Sequence, residues 1–211
     1  MAGLLSLMKV FQAMPNRSEK QIRSLVRKVE TRADGERMTV VGYAAIFGEV
    51  ADIAGIYREV IARGAFSRSL RTDDVLALFG HDSRRLLGRS TSGTLRLAED
   101  AKGLSVEIDL PDTTDGRDVR ALIARGDISG MSFGFNVREG GDFWDFSSDP
   151  PLRTITDVDL AEVSVVSAPA YAGTSIALRS LESARAEIEH RHFVPASRLR
   201  MKVGLDLALR K

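Results

Sequence analysis

Apart from one stretch, the chain is a succession of short apolar runs of strand length, each closed by a glycine, a proline or a polar turn. Met38 to Phe47 is rich in Val, Thr, Tyr, Ile and Phe and ends at Gly48, as a strand does. Val75 to Phe79 is a brief apolar run stopped by Gly80 and reads as a buried strand. Leu95 to Leu97 and Leu104 to Leu110 flank the polar turn Glu99 to Gly103, which predicts a hairpin. Met131 to Val137 alternates with period two, Gly140 to Pro151 reads as a loop, and Thr154 to Ser167 is strand-like up to Pro169. The exception is Thr113 to Arg125, where Val119, Leu122 and Ile123 recur at helical spacing and Gly126 stands where a C-cap belongs. Arg63 to Phe66 reads as a turn entering a second, short helix. The expected fold class is α+β, mainly β, with strands enough for a barrel.

A chain of 211 residues builds one domain with tails. Residues 1–32 read as a charged N-terminal arm broken by Pro15 and Asn16, 33–179 as the folded domain, and 180–211 as a charged C-terminal tail. In that tail Leu181, Ala184 and Ile188 share one helical face. The chain has no cysteine, so disulfides, thiolate nucleophiles and thiolate zinc sites are excluded. Thirty Lys and Arg balance 29 Asp and Glu, leaving no global field to draw in nucleic acid or an anionic membrane. The apolar opening Ala2 to Met8 has no basic stretch before it and is interrupted by Lys9, so no secretion signal is expected. No apolar run reaches the length of about 18 residues that a membrane-spanning helix needs.

Candidates for chemistry are few. Of three histidines, His190 and His192 fall in the tail and only His81 in the domain, directly after a strand and Gly80, where a rigid element ends. It reads either as a base or as a capping histidine in a surface turn. In Gly130 to Val137, alternation puts Met131, Phe133, Phe135 and Val137 on one face and Ser132, Gly134 and Asn136 on the other. A serine beside a glycine leaves room for another backbone to approach, or fills a small space in a tight sheet. A serine nucleophile needs a base in reach, and the base needs a third group to orient it. Glu162 is the candidate third group, since a carboxylate within the apolar run Leu160 to Val166 demands a partner. A solvent-facing or Arg-paired role for Glu162 stays open, and Asp82 and Asp159 are rivals for the third position. Metal-ligand spacings and a phosphate-binding glycine loop are missing. Phe143, Trp144 and Phe146 lie in an acidic loop, which suits a lid or a partner contact better than base stacking.

An ordered series of short motifs adds to this reading. It runs Gly42-Tyr43-Ala44-Ala45-Ile46-Phe47, Glu59 through Gly64-Ala65-Phe66, Gly80-His81-Asp82 with Leu86-Leu87-Gly88-Arg89, and Gly103-Leu104. It continues with the helix ending at Gly126, then Gly130 to Phe135, Glu162-Val163-Ser164 and Pro169-Ala170. In this order the motifs resemble the prohead proteases of tailed bacteriophages, a family similar in fold to the herpesvirus capsid-maturation protease, assemblin. The resemblance covers Arg37 to Leu178. It implies an assemblin-like closed β-barrel surrounded by helices and a serine endopeptidase without cofactor, with His81 as base, Ser132 as nucleophile and Glu162 as third member. The implied substrates are the major capsid protein with its scaffolding segment, inside the assembling prohead in the host cytoplasm, and the chain itself through self-cleavage in a homo-oligomer. The other reading of the same motifs is a non-catalytic scaffolding or capsid-binding module. Backbone N–H groups near Ser132, or the guanidinium of Arg84 or Arg85, are the available oxyanion donors.

Overall fold

A computed structural model describes residues 20–25, 29–34, 37–167 and 178–188. The chain divides into two compact units, 16–174 and a second made of 1–15 with 175–211. In the second, the described part is a helix over 178–188, in which Leu181 and Ala184 are buried and Ile188 is exposed. His190, His192 and most of the expected N-terminal arm lie outside the described residues.

The first unit is mainly β. Its strands are β1 (Gln21–Leu25), β2 (Glu30–Asp34), β3 (Arg37–Ile46), β4 (Val50–Ile53), β5 (Tyr57–Ile61), β6 (Leu76–Phe79) and β7 (Asp82–Arg89). They continue with β8 (Leu95–Glu99), β9 (Gly103–Asp109), β10 (Gly130–Val137), β11 (Asp142–Asp145), β12 (Leu152–Ile155) and β13 (Val158–Val166). Two helices interrupt them, α1 (Ser69–Thr72) and α2 (Thr114–Arg125). The strands form three sheets in the orders β1-β10-β13-β6-β7, β11-β12-β5-β4 and β2-β3-β9-β8. Among the described residues no sheet closes on itself, so the expected closed barrel is replaced by three open sheets around one core. Closure needs the two end strands of a sheet to pair, and here each end is left at an edge.

Apolar periodicity selects the core as expected. The alternation of β10 sends Met131, Phe133 and Phe135 inward, where Phe133 meets Phe66 edge-on at 5.5 Å and stacks on Phe135 at 5.0 Å. Burying each such side chain stabilises the fold by about 1.5–3 kcal/mol. In α2, Thr113 Oγ accepts the Gly116 N–H at 3.3 Å and Gly126 turns left-handed with φ 84°, as its sequence position requires. Val119 and Ile123 bury its inner face.

Two regions depart from the periodic reading. The loop Gly140 to Pro151 contains β11, an edge strand on which Trp144 packs edge-on against Tyr57 at 4.9 Å. The strand-like stretch 154–167 is two strands, β12 and β13, in different sheets. Within β13 the pairing with β10 shifts register: Phe135 faces Leu160 but Gly134 faces Glu162, so Ala161 is an extra residue. This bulge reverses the phase of the strand. Leu160 and Val163 both reach the core, and Glu162 and Ser164 turn to the opposite face.

The bulge is held from α1. The buried Ser69 accepts the Leu160 N–H on its Oγ at 2.8 Å and itself donates to Asp73. Removing that hydroxyl strands a buried backbone donor. Ser69→Ala is expected to lower the unfolding free energy by about 1–3 kcal/mol in urea titration; an unchanged midpoint and slope contradict this role.

Candidate active site

The face of the five-stranded sheet away from the aromatic core carries the polar candidates. Ser132 on β10 stands opposite Ser164 on β13, and Gly134 stands opposite Glu162. His81 comes to this face from the hairpin joining β6 and β7. Phe79 pairs with Asp82, leaving Gly80 and His81 as a two-residue turn with φ of 62° and 64°. Positive φ at both central residues matches the twist of a tight hairpin. For a histidine this backbone is uncommon and costs about 1 kcal/mol or more, so the surroundings must hold it. Two contacts do so: the His81 N–H donates to Ser164 Oγ at 3.3 Å, and its Nδ1 lies 2.7 Å from Glu162 Oε1.

Glu162 is almost fully buried and also receives Lys20 Nζ at 2.9 Å. Burial by itself raises its carboxyl, but the hydrogen bonds and charges of His81 and Lys20 outweigh this and hold it below its ordinary value of 4.5. It is therefore a carboxylate at neutral pH, which assigns the proton of the pair to His81 Nδ1 and leaves Nε2 as the basic nitrogen. His81 Nε2 is buried and has no hydrogen-bond partner among the described residues. The rivals for the third position are engaged elsewhere. Asp82 binds Arg84 through both carboxylate oxygens, which holds its carboxyl down to about 2. Asp159 binds Arg68 at 2.6 Å and Arg138 at 3.2 Å.

Ser132 is on the expected face and is fully buried. Its hydroxyl does not meet His81. It donates to the backbone carbonyl of Arg23 at 2.7 Å and accepts from Ser24 Oγ at 3.0 Å. Both partners belong to β1, which lies antiparallel along β10 with Ser24 opposite Ser132. Sequence reasoning counted this strand as part of the arm. Lys20, Ser24 and Ser164 are the polar neighbours it left out, and of these Ser164 was readable, since it lies two residues after Glu162 on one strand face. Arg84 is mostly exposed on Asp82, and Arg85 pairs with Asp115 and covers the Phe79 ring at 4.0 Å. Neither guanidinium is directed to Ser132. No group of three metal-ligating side chains occurs among the described residues, and no described helix is long and apolar enough to cross a membrane.

A carboxylate, a histidine and a serine thus share one face of the five-stranded sheet, and the carboxylate and the histidine are in direct contact. The chain belongs to the caudovirus prohead serine protease family, whose pattern matches residues 25–187. It is similar to the prohead protease of Enterobacteria phage HK97, with 32% identity over 155 residues, 71% of this chain. The aligned stretch spans 64% of that relative's length. In fold it is similar to the bacteriophage T4 capsid assembly protease, at a TM-score of 0.50 and 10% identity, over 70% of this chain and 96% of the other.

A second buried carboxylate, Glu59 on β5, is held below its ordinary range as well. Its burial is outweighed by the charges and hydrogen bonds of Arg23 and Arg153. Groups with depressed folded values stabilise the fold above their unfolded value, and that stability is lost as pH falls through the folded one. Urea midpoints are therefore expected to stay level from pH 7 to about 5 and to drop below pH 4.5, the ordinary value of Glu59 and Glu162. A midpoint that rises on acidification contradicts the assignment.

Proposed function

We propose that the chain is a serine endopeptidase that cleaves the major capsid protein and its scaffolding segment during maturation of a phage prohead, in the host cytoplasm. The single observation that carries this is the His81 Nδ1 to Glu162 contact of 2.7 Å, buried on the face of Ser132 with His81 Nε2 left without a partner among the described residues. Such a pair fixes the tautomer a general base needs. Family membership supplies the peptidase class, and the likeness to a T4 capsid assembly protease extends to the fold.

In this reading Ser132 Oγ bonds to the scissile carbonyl carbon as its proton passes to His81 Nε2. The tetrahedral intermediate collapses, the C–N bond breaks, and the Nε2 proton goes to the leaving amine. Water, deprotonated by the same nitrogen, then opens the acyl-enzyme. Glu162 stabilises the imidazolium throughout. The state described here is latent, because β1 covers Ser132 and holds its hydroxyl. Leaving that state requires β1 to withdraw or be cut, which gives self-cleavage in a homo-oligomer a physical role.

The other reading, a non-catalytic scaffolding or capsid-binding module on the same framework, draws on the full burial of Ser132 and the absence of its bond to His81. Coexpression with the capsid precursor separates the two. The native chain is expected to shorten the precursor, Ser132→Ala and His81→Ala to leave it full length, and Glu162→Gln to slow processing by about 100-fold or more. Equal processing by all four chains overturns the assignment, and assembly without cleavage by the native chain favours the module.

A further inference from the structure

The strand that covers Ser132 does so in the posture of a substrate. β1 adds antiparallel to β10 at the edge of the sheet, pairing Gln21 with Phe135 through Leu25 with Met131. An exposed strand edge binds extended peptides in this way, the ladder giving affinity and alternate side chains giving specificity. At the centre of the pairing the Arg23 carbonyl accepts from Ser132 Oγ at 2.7 Å, so Arg23 is the β1 residue whose carbonyl Ser132 engages.

Its side chain leaves through the other face of the sheet into a buried polar chamber. Arg23 Nε and Nη2 meet the two Glu59 oxygens at 2.5 and 2.9 Å, with Tyr57 OH and Gln21 Oε1 each 3.2 Å from Nη2. The chamber's own cation, Arg153, is shared between Glu59 at 3.1 Å and Asp142 at 2.7 Å. With Arg23 present, two guanidinium groups balance two carboxylates. Without it the chamber holds Glu59, Asp142 and Arg153, one positive charge short, and Glu59 is 2% exposed. An unbalanced carboxylate at that depth is costly, so any strand that displaces β1 is selected for a cation at the same register. The family match begins at residue 25, so Arg23 precedes it while Glu59, Asp142, Arg153 and Ser132 all lie within it.

We propose that β1 is a substrate-mimicking plug and that the Glu59 chamber is the specificity subsite, which selects arginine or lysine at the residue whose carbonyl Ser132 attacks. This rests on the peptidase reading above and deepens it. Arginine is favoured over lysine, because the two Glu59 oxygens accept a planar fork.

The test is a peptide library made by digesting a bacterial proteome with a glutamate-specific protease, incubated with the full chain, with Arg23→Ala and with Ser132→Ala. New C-termini are read by mass spectrometry. Ser132-dependent C-termini ending in Arg or Lys are expected, formed faster by Arg23→Ala than by the native chain. In a matched peptide pair, citrulline in place of arginine at that position is expected to lower kcat/KM by at least about 30-fold. Ser132-dependent cleavage after acidic or apolar residues overturns the subsite and leaves the peptidase reading standing. Arg23→Ala that remains folded but cleaves no faster overturns the plug. No Ser132-dependent cleavage by either chain overturns both the subsite and the reading beneath it.

Discussion

A carboxylate buried in the middle of an apolar sheet is the constraint on which the site depends. Glu162 cannot be left alone at 2% exposure, and its partners come from three separate places in the chain. His81 reaches it from a strained hairpin turn, Lys20 from just before the strand at the sheet edge, and Gly134 opposite it keeps the space open. A Cβ at position 134 would lie 2.4 Å from Lys20 Cε and 2.9 Å from the Glu162 carboxylate, so any side chain there must displace one of the two. The bulge at Ala161 is what aims Glu162 at this face, and the Ser69 hydroxyl holds the bulge. The arrangement is thus specified by backbone features well away from the reacting atoms.

The two faces of β10 divide the work. One face carries Ser132 and Gly134 among the groups of the proposed reaction, and the other carries Phe133 and Phe135, with the Arg23 guanidinium 5.7 Å from the Phe135 ring. A strand lying along β10 therefore presents its backbone to Ser132 and every second side chain to the Glu59 chamber. Geometry that follows from the two-residue repeat of a β-strand couples recognition to chemistry without any separate positioning element.

Much of this was legible from residue order alone. Alternation in 130–137 put Ser132 on the face opposite the aromatics, elimination left His81 as the domain's histidine, and the cost of a buried carboxylate pointed to Glu162. The bulge was not legible, because a strict two-residue period through 158–166 places Glu162 on the same face as Leu160; only the shift at Ala161 separates them. Strand β1 was missed for a different reason. Residues 18 to 30 look like a solvated, mixed-charge arm, and the carboxylate that buries Arg23 lies 36 residues further along the chain. The closed barrel was expected from strand number and from resemblance, and neither fixes which edges pair. The loop at 140–151 hid a short strand because Trp144 gains its packing from Tyr57 in another sheet segment, which no local pattern records.

The central claim is that Ser132 is a nucleophile served by a His81–Glu162 pair and kept latent by β1. Labelling with a serine-reactive fluorophosphonate, read by intact mass and by peptide mapping, tests it most directly. The account predicts a single adduct on the peptide containing Ser132, formed slowly in the native chain, faster in Arg23→Ala, and suppressed in His81→Ala. No adduct at Ser132 in either the native chain or Arg23→Ala, or an adduct whose rate is indifferent to His81, would contradict it.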